Sequence, residues 1–489
     1  MQYIRDNLYN YKNVNFDSLI NSLGNHIMSM QNVGVVHGDL SPNNILLTQE
    51  GRPIVIDFEG ASDLYAHIYR SIKGTPGYRT YEDVISRRVP NIHDDMYVLD
   101  SIIRTIQLRT CSFIDDWTGK LVDDEEIDSA AMIWLKNKSV SNNNFYNYPG
   151  ASFSLHNGIA GYILVASLAQ RSGIEVINYE NLSYLSNQML GIARQPYVAP
   201  KGLHFGLGGV AYAIAQAGIA WKDEEMIKLA SQLWVECSQQ ILKLKKLDWT
   251  HGVAGLIHAG LFIYKHYDKT IIDQIKKMVD LLIESDTKSL DEPRWIIDGK
   301  RNYGFAHGMA GIAYSLAQFQ RIAEDIRIRR LLTEITEFYE TTYTPSGWPK
   351  SPDNDERWMA WCHGLPGILL SLLEIGMIYP RAIELATHCS ESMESACTWP
   401  PHCLCHGSLS AIWAYEALFR ITGIPNYRAI AKNACKLIVS AQYNRNVHVQ
   451  TWRNDRSIEG DASLMTGGTG LAYLILEINH NLPLMFSLE

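Results

Sequence analysis

The chain has 489 residues, about two to three times an average domain, so more than one core is expected unless a repeat architecture enlarges one of them. With 46% apolar and 19% charged residues and a formal net charge of −9, it reads as an ordinary globular protein without the basic footprint of a nucleic-acid binder. The start, Met1-Gln-Tyr-Ile-Arg-Asp-Asn, lacks the apolar run of a secretory signal. Apolar stretches such as 158–168 and 365–373 stop well short of the roughly 20 residues a membrane span needs. A cytoplasmic protein is expected.

Phe16, Leu19, Ile20, Leu23 and Ile27 recur at helical spacing, and short β-rich runs follow at 33–36, 45–47 and 54–56, separated by polar turns. Those turns carry His37-Gly-Asp39-Leu-Ser-Pro-Asn-Asn44 and Ile56-Asp57-Phe58-Glu59. A lone Asp-x-x-x-x-Asn is ordinarily a solvated turn. Here Asp39, Asn44 and Asp57 together have the relative spacing of the protein-kinase catalytic loop and metal-binding residues, and residues 74–82 and 95–99 resemble the end of an activation segment and the helix after it. The resemblance implies a kinase-like C-terminal lobe over 1–112, with Asp39 as base for a substrate hydroxyl and Asn44 with Asp57 holding Mg²⁺ and ATP. Gly38 and Glu59 replace the kinase arginine and glycine, as in small-molecule phosphotransferases, and the 36 residues before His37 leave no room for the glycine-rich loop, lysine and helix glutamate of a nucleotide-binding lobe.

From 113 to 150 the composition turns acidic and Asn-rich, which suits a linker. After residue 150 a pattern returns seven times: a polar or small residue, Gly, two residues, Gly, then an apolar helix. The first glycines, Gly158, Gly206, Gly252, Gly308, Gly364, Gly407 and Gly467, are 48, 46, 56, 56, 43 and 60 residues apart, a period that holds two helices and their turns. Only the sixth copy lacks its second glycine, having Ser410. Segments such as 255–263 are apolar nearly all round and must be enclosed by other helices. Seven hairpins closed into a ring would gather their motif-bearing turns at one mouth, so a mainly α, (α/α)7 toroid over 151–489 is expected.

In register, the position before the first glycine reads Asn157, Phe205, His251, His307, His363, His406 and Thr466. The position before that reads His156, His204, Thr250, Ala306, Cys362, Cys405 and Met465. Copies five and six therefore offer adjacent Cys-His pairs, and soft sulfur with imidazole nitrogen suits Zn²⁺. Three protein ligands would leave a fourth position open, as in catalytic zinc sites. An isolated Cys-His pair is as often a packed core feature, and Cys403 competes as a ligand.

Trp361-Cys362-His363-Gly364-Leu-Pro-Gly367 and Leu404-Cys405-His406-Gly407 resemble the zinc motifs of the lanthionine synthetase C-like family. The resemblance implies a toroid of seven inner and seven outer helices, with Zn²⁺ held by Cys362, Cys405 and His406. It also implies His307 as the catalytic acid, Asp248 as the carboxylate orienting it or a neighbouring proton carrier, and Arg357 as the arginine that stabilises an enolate. The implied reaction adds a peptide cysteine thiol to the β-carbon of dehydroalanine or dehydrobutyrine, with proton delivery to the α-carbon. His363, His251, His156 and His204 take no family role and read as satisfied turn or core histidines.

Kinase and cyclase in this order resemble class III and class IV lanthionine synthetases, and the zinc triad favours class IV. That implies a precursor peptide with a leader as substrate, and a chain that is a fragment, a truncated frame, or one partner of a separate polypeptide supplying lyase and upper kinase lobe. The rival readings are a non-catalytic peptide-binding scaffold and, weakly for want of paired carboxylates, a carbohydrate-active toroid.

Overall fold

The computed structural model describes residues 2–3, 16–41, 44–48, 50–66, 95, 99, 102, 123–138, 153–193, 201–398, 401–444 and 462–489. The activation-segment resemblance at 74–82 and the Asn-rich run at 139–147 lie outside the described residues. Helix α1 (Phe16–Asn32) buries Leu19, Ile20, Leu23 and Ile27, the stripe its spacing predicts. Strands β1 (Gln2–Tyr3), β3 (Ile45–Leu47) and β4 (Pro53–Val55) form one antiparallel sheet in the order β1-β3-β4, and β2 (Val35–Val36) pairs antiparallel with β5 (Ser62–Asp63).

The remainder is a double ring of helices. The inner set is α3 (Ile159–Arg171), α5 (Leu207–Trp221), α7 (Val253–His266), α9 (Met309–Gln320), α11 (Leu365–Gly376), α13 (Ser408–Thr422) and α15 (Gly468–His480). The outer set is α2 (Asp124–Lys138), α4 (Tyr179–Ala193), α6 (Glu224–Leu244), α8 (Ile272–Glu284), α10 (Ile326–Thr342), α12 (Arg381–Ser390) and α14 (Pro425–Asn444). The two sets differ as their positions require. In α5 every residue from Leu207 to Gly218 is buried, whereas α8 buries only Ile275, Met278, Val279 and Leu282, one amphipathic stripe.

Ring closure is visible in the backbone. The residue two before each first glycine donates its N–H to the carbonyl of its counterpart in the next copy. His156 donates to His204 (3.0 Å), His204 to Thr250 (3.0 Å), Thr250 to Ala306 (3.2 Å) and Ala306 to Cys362 (2.9 Å). Cys362 then donates to Cys405 (3.0 Å), Cys405 to Met465 (2.9 Å) and Met465 back to His156 (3.0 Å). Every bond falls at the same register position, so the toroid closes without an odd member.

The span 113–150, expected to be a linker, contains α2, the outer partner of α15. Its acidic run is a helix start. Asp123 Oδ1 accepts from the Glu126 N–H (2.8 Å) and Glu126 Oε2 from the Asp123 N–H (2.9 Å), a capping box whose charges also suit the helix dipole. Ile127, Ala130, Ala131, Trp134 and Leu135 are buried, and the Tyr162 hydroxyl donates to the Leu135 carbonyl (2.9 Å).

The second glycine of each motif is a contact point. A Cβ at Gly367 would stand 2.0 Å from the Trp361 carbonyl oxygen, and one at Gly311 2.2 Å from that of Phe305. In the sixth copy the Ser410 hydroxyl instead donates to the corresponding carbonyl, Leu404, at 2.9 Å. Gly367→Ala is therefore expected to cost about 1–3 kcal/mol by overpacking, and Ser410→Gly about 1 kcal/mol through the lost hydrogen bond, both read by denaturant unfolding.

At the other end of the ring the segment after α15 turns inward. Phe486, at φ +63°, packs its ring near His204, Tyr212, Trp249, His258 and Trp413, and its carbonyl accepts from Tyr314 Oη and Gln318 Nε2, both at 2.9 Å. Nearby, Glu416 pairs with Arg420 and Arg428, while the fully buried Glu477 carboxyl has no close ion-pair partner among the described residues. Burial first, and then the Glu416 charge, raise the Glu477 pKa to about 8. A carboxyl raised in the folded state stabilises the fold below its unfolded value near 4.5 and loses that contribution as pH rises towards 8. Glu477→Gln should therefore gain on the wild type by about 1.4 kcal/mol per pH unit across that window, measured as unfolding free energy between acid and alkaline buffers.

Candidate active site

Each inner helix begins at a motif glycine in extended conformation, so the residue before that glycine stands at the rim of the mouth. Neighbouring rim residues touch. Thr466 Oγ1 donates to Asn157 Oδ1 (3.1 Å), the Phe205 and His251 rings stack at 5.1 Å, His251 and His307 stack at 5.3 Å, and His307 and His363 lie 5.7 Å apart.

Asp248 lies behind this rim, with its side chain only 4% exposed. Its Oδ2 faces His307 Nδ1 at 2.8 Å and His251 Nδ1 at 3.3 Å, and accepts from Thr250 Oγ1 at 2.8 Å. Thr250 Oγ1 also lies 2.9 Å from each of those Nδ1 atoms. Burial alone would raise the Asp248 pKa, but hydrogen bonds from His251, His307 and Thr250, with the charge of His307, outweigh it and hold the carboxyl well below the usual range. A carboxylate only accepts, so each facing Nδ1 carries a hydrogen, and each Nε2 is left to exchange protons. Both imidazoles are 34% exposed, which gives the mouth access to them.

Sequence reasoning paired Asp248 with His307 and set His251 and Thr250 aside. The missed signal was spacing: Asp248 lies three residues before His251, within reach of it in the same turn. His156 and His204 are buried and share a hydrogen bond between their Nδ1 atoms (3.1 Å), and Trp249 Nε1 donates to His204 Nε2 (3.2 Å). Burial drives the His156 pKa down to about 3 and that of His204 well below its ordinary value, so both are neutral.

Cys362 and Cys405 are brought together. Their turns share the backbone bond of the ring, and contact with the Cys362 thiol, followed by burial, pushes the Cys405 thiol well above its ordinary value. Two unoxidised thiols in contact, the Cys405 one costly to ionise, are what a cation would relieve, and His406 follows on the same turn; sulfur, sulfur and imidazole are a donor set that zinc takes, although their three donor atoms do not all lie within 4.8 Å of one another. Cys403 is buried close enough to Cys405 to raise it further. Among the described residues, the trio with all donor atoms within 4.8 Å of one another is Asp248, His251 and His307, which could hold a metal ion. There, however, both nitrogens face a single carboxylate oxygen at proton-sharing distance, and no thiol takes part.

Arg357 is engaged elsewhere. Its guanidinium donates to Thr344 Oγ1, to the Gly347 carbonyl (2.6 Å) and to Asp355 Oδ1 (2.8 Å), pinning the loop before the fifth motif.

In the N-terminal segment the catalytic-loop residues are tied to one another. The His37 N–H donates to Asp95 Oδ2 (2.6 Å), His37 Nε2 bonds the Ile56 carbonyl (2.9 Å), Asn44 Nδ2 donates to the Asp39 carbonyl (2.7 Å), and the Ile56 N–H donates to the Asn44 carbonyl (2.9 Å). Asp57 has φ +63° and ψ +66° and is exposed, a left-handed conformation that costs a non-glycine residue energy.

A closed ring of seven inner and seven outer helices, with thiols, imidazoles and a carboxylate at one mouth, defines an α/α-toroid protein with a polar central site. The family described as "Lanthionine synthetase C-like protein" matches residues 149–487, and the chain belongs to it. Residues 10–64 match the "Phosphotransferase enzyme family". Among solved structures, nisin cyclase aligns with a TM-score of 0.56 at 15% identity, over 74% of this chain and 95% of its own. The Danio rerio protein "Glutathione S-transferase LANCL1" is 26% identical over 221 residues, 40% of this chain and 55% of the relative. The Arabidopsis thaliana "LanC-like protein GCL1" is 24% identical over 199 residues, 38% and 45% respectively. The chain thus spans about half the length of the curated relatives it matches. No helix among the described residues is long and apolar enough to cross a membrane.

Proposed function

We propose that the chain is a zinc-dependent cyclase of lanthipeptide biosynthesis, joining a peptide cysteine thiol to a dehydroalanine or dehydrobutyrine in the same peptide. The observation that carries the reading is the meeting, on one mouth, of the Cys362–Cys405 thiol pair with the Asp248–His307 pair. Cys362, Cys405 and His406 would hold the ion, and zinc bound there would lower the pKa of a thiol entering its open position. His307, aimed by Asp248 through Nδ1, presents Nε2 to protonate the α-carbon after the carbon–sulfur bond forms. Arg357 would act on the enolate only if it left its loop partners.

The kinase-like segment is proposed to phosphorylate Ser or Thr of the precursor, as in class IV synthetases. Asp39 would act as base and Asn44 with Asp57 would hold Mg²⁺ and ATP, once an upper lobe and a lyase complete it, on this chain or on a partner polypeptide. The substrate is then a precursor peptide carrying a leader.

A second reading is favoured by the name of the Danio rerio relative: the same mouth could add the thiol of free glutathione to a dehydrated peptide. The non-catalytic scaffold is the remaining alternative.

Metal analysis should find about one zinc per chain, lost in Cys362→Ala. On a synthetic peptide holding one dehydroalanine and one cysteine, the cyclase predicts loss of the alkylatable thiol without a change of mass. The glutathione reading predicts a glutathione adduct and an untouched cysteine. Full alkylation with no adduct supports the scaffold.

A further inference from the structure

We propose that His251 is a second proton-carrying residue of this site, taking up the proton that the entering thiol releases while His307 supplies the one added at the α-carbon. The inference rests on the cyclase reading and deepens it.

The reaction breaks one S–H bond and forms one S–C and one C–H bond, so a proton is accepted at one point and delivered at another. A single imidazole would have to serve both points in turn. The mouth holds two imidazoles built alike. His251 and His307 stack at 5.3 Å with an interplanar angle of 16°, both turn Nδ1 to the same Asp248 oxygen, both lie 2.9 Å from Thr250 Oγ1, and both are 34% exposed.

The carboxylate fixes both rings as Nδ1–H, with both Nε2 atoms free for proton exchange. Its one negative charge faces both rings and can compensate a proton held on either of them. His307 gives that proton to the α-carbon, His251 takes the thiol's, and the net charge at Asp248 is unchanged over the cycle. Exchange with solvent through the exposed edges restores the starting state.

Around His251 the ionisable groups are Asp248 on its own turn, His307 on the next, and the neutral His156 and His204 on the preceding ones. Phe205 covers its other face. His251 thus has one acidic partner among these groups, and His307 is the other imidazole that shares it.

The test uses the full chain loaded with zinc and the same synthetic dehydroalanine-cysteine peptide. His251→Phe retains an aromatic ring between Phe205 and His307 but carries no proton. It should lower kcat about 100-fold or more with KM little changed, and flatten the acid limb of the pH–rate profile while leaving the alkaline limb set by His307. In His251→Ala, added imidazole should restore part of the rate. Unchanged zinc content and thermal unfolding in both variants are part of the expectation.

Wild-type kcat and an unaltered acid limb in His251→Phe would overturn the proposal alone. Loss of zinc in His251→Phe would overturn it too, by making His251 a ligand. Absence of ring formation by the wild type would remove the cyclase reading and this inference with it.

Discussion

Seven backbone hydrogen bonds, each from the residue two before a motif glycine to its counterpart in the next copy, hold the turns of the toroid in a closed circle. Buried peptide groups must find partners, and in a helical toroid the turn peptides cannot find them within their own helices. The circle supplies them from neighbouring copies and fixes the register in doing so. Since His156, His204, Thr250, Ala306, Cys362, Cys405 and Met465 all occupy the bonded position, the residues that follow them form the rim. Residues more than a hundred positions apart, such as Asp248 and Cys405, are thereby fixed on one ring. The close carbonyl approaches at Gly311 and Gly367 belong to the same constraint, because a side chain there would push an inner helix off its turn.

The rim divides into two kinds of chemistry. On the Thr250–Ala306 side, one carboxylate organises two imidazoles and a hydroxyl, a set suited to moving protons. On the Cys362–Cys405 side, two thiols meet and the contact makes the Cys405 thiol costly to ionise, which suits a cation. Burial sharpens the division by keeping His156 and His204 neutral as a hydrogen-bonded floor beneath the proton-handling side. A thiol addition to an activated alkene needs one group of each kind.

Much of this was legible in the sequence because repeats expose register. The glycine period located all seven inner helices, aligning the copies set His307, Cys362, Cys405 and His406 in the motif turns, and Asp248 came from the family resemblance alone. Three features were harder to see. The acidic run before α2 looked like a linker because charge at a helix start and charge in a loop have the same composition, and only the buried stripe from Ile127 to Leu135 separates them. His251 looked like a spare turn histidine because its contact with Asp248, three residues back in the same turn, and its stacking on His307 of the next copy appear only once the turn is folded. The inward turn of Phe486 depends on a positive φ and on five side chains from three repeats, none of which leaves a local trace.

The two sides of the rim are told apart most directly by which of them holds the ion. X-ray absorption at the zinc edge of the metal-loaded chain separates the two. Two sulfur scatterers at about 2.3 Å with one or two nitrogen or oxygen neighbours near 2.0–2.1 Å are the predicted result and place the ion at Cys362, Cys405 and His406. A first shell of nitrogen and oxygen alone would put it at Asp248, His251 and His307 and contradict the division of the rim.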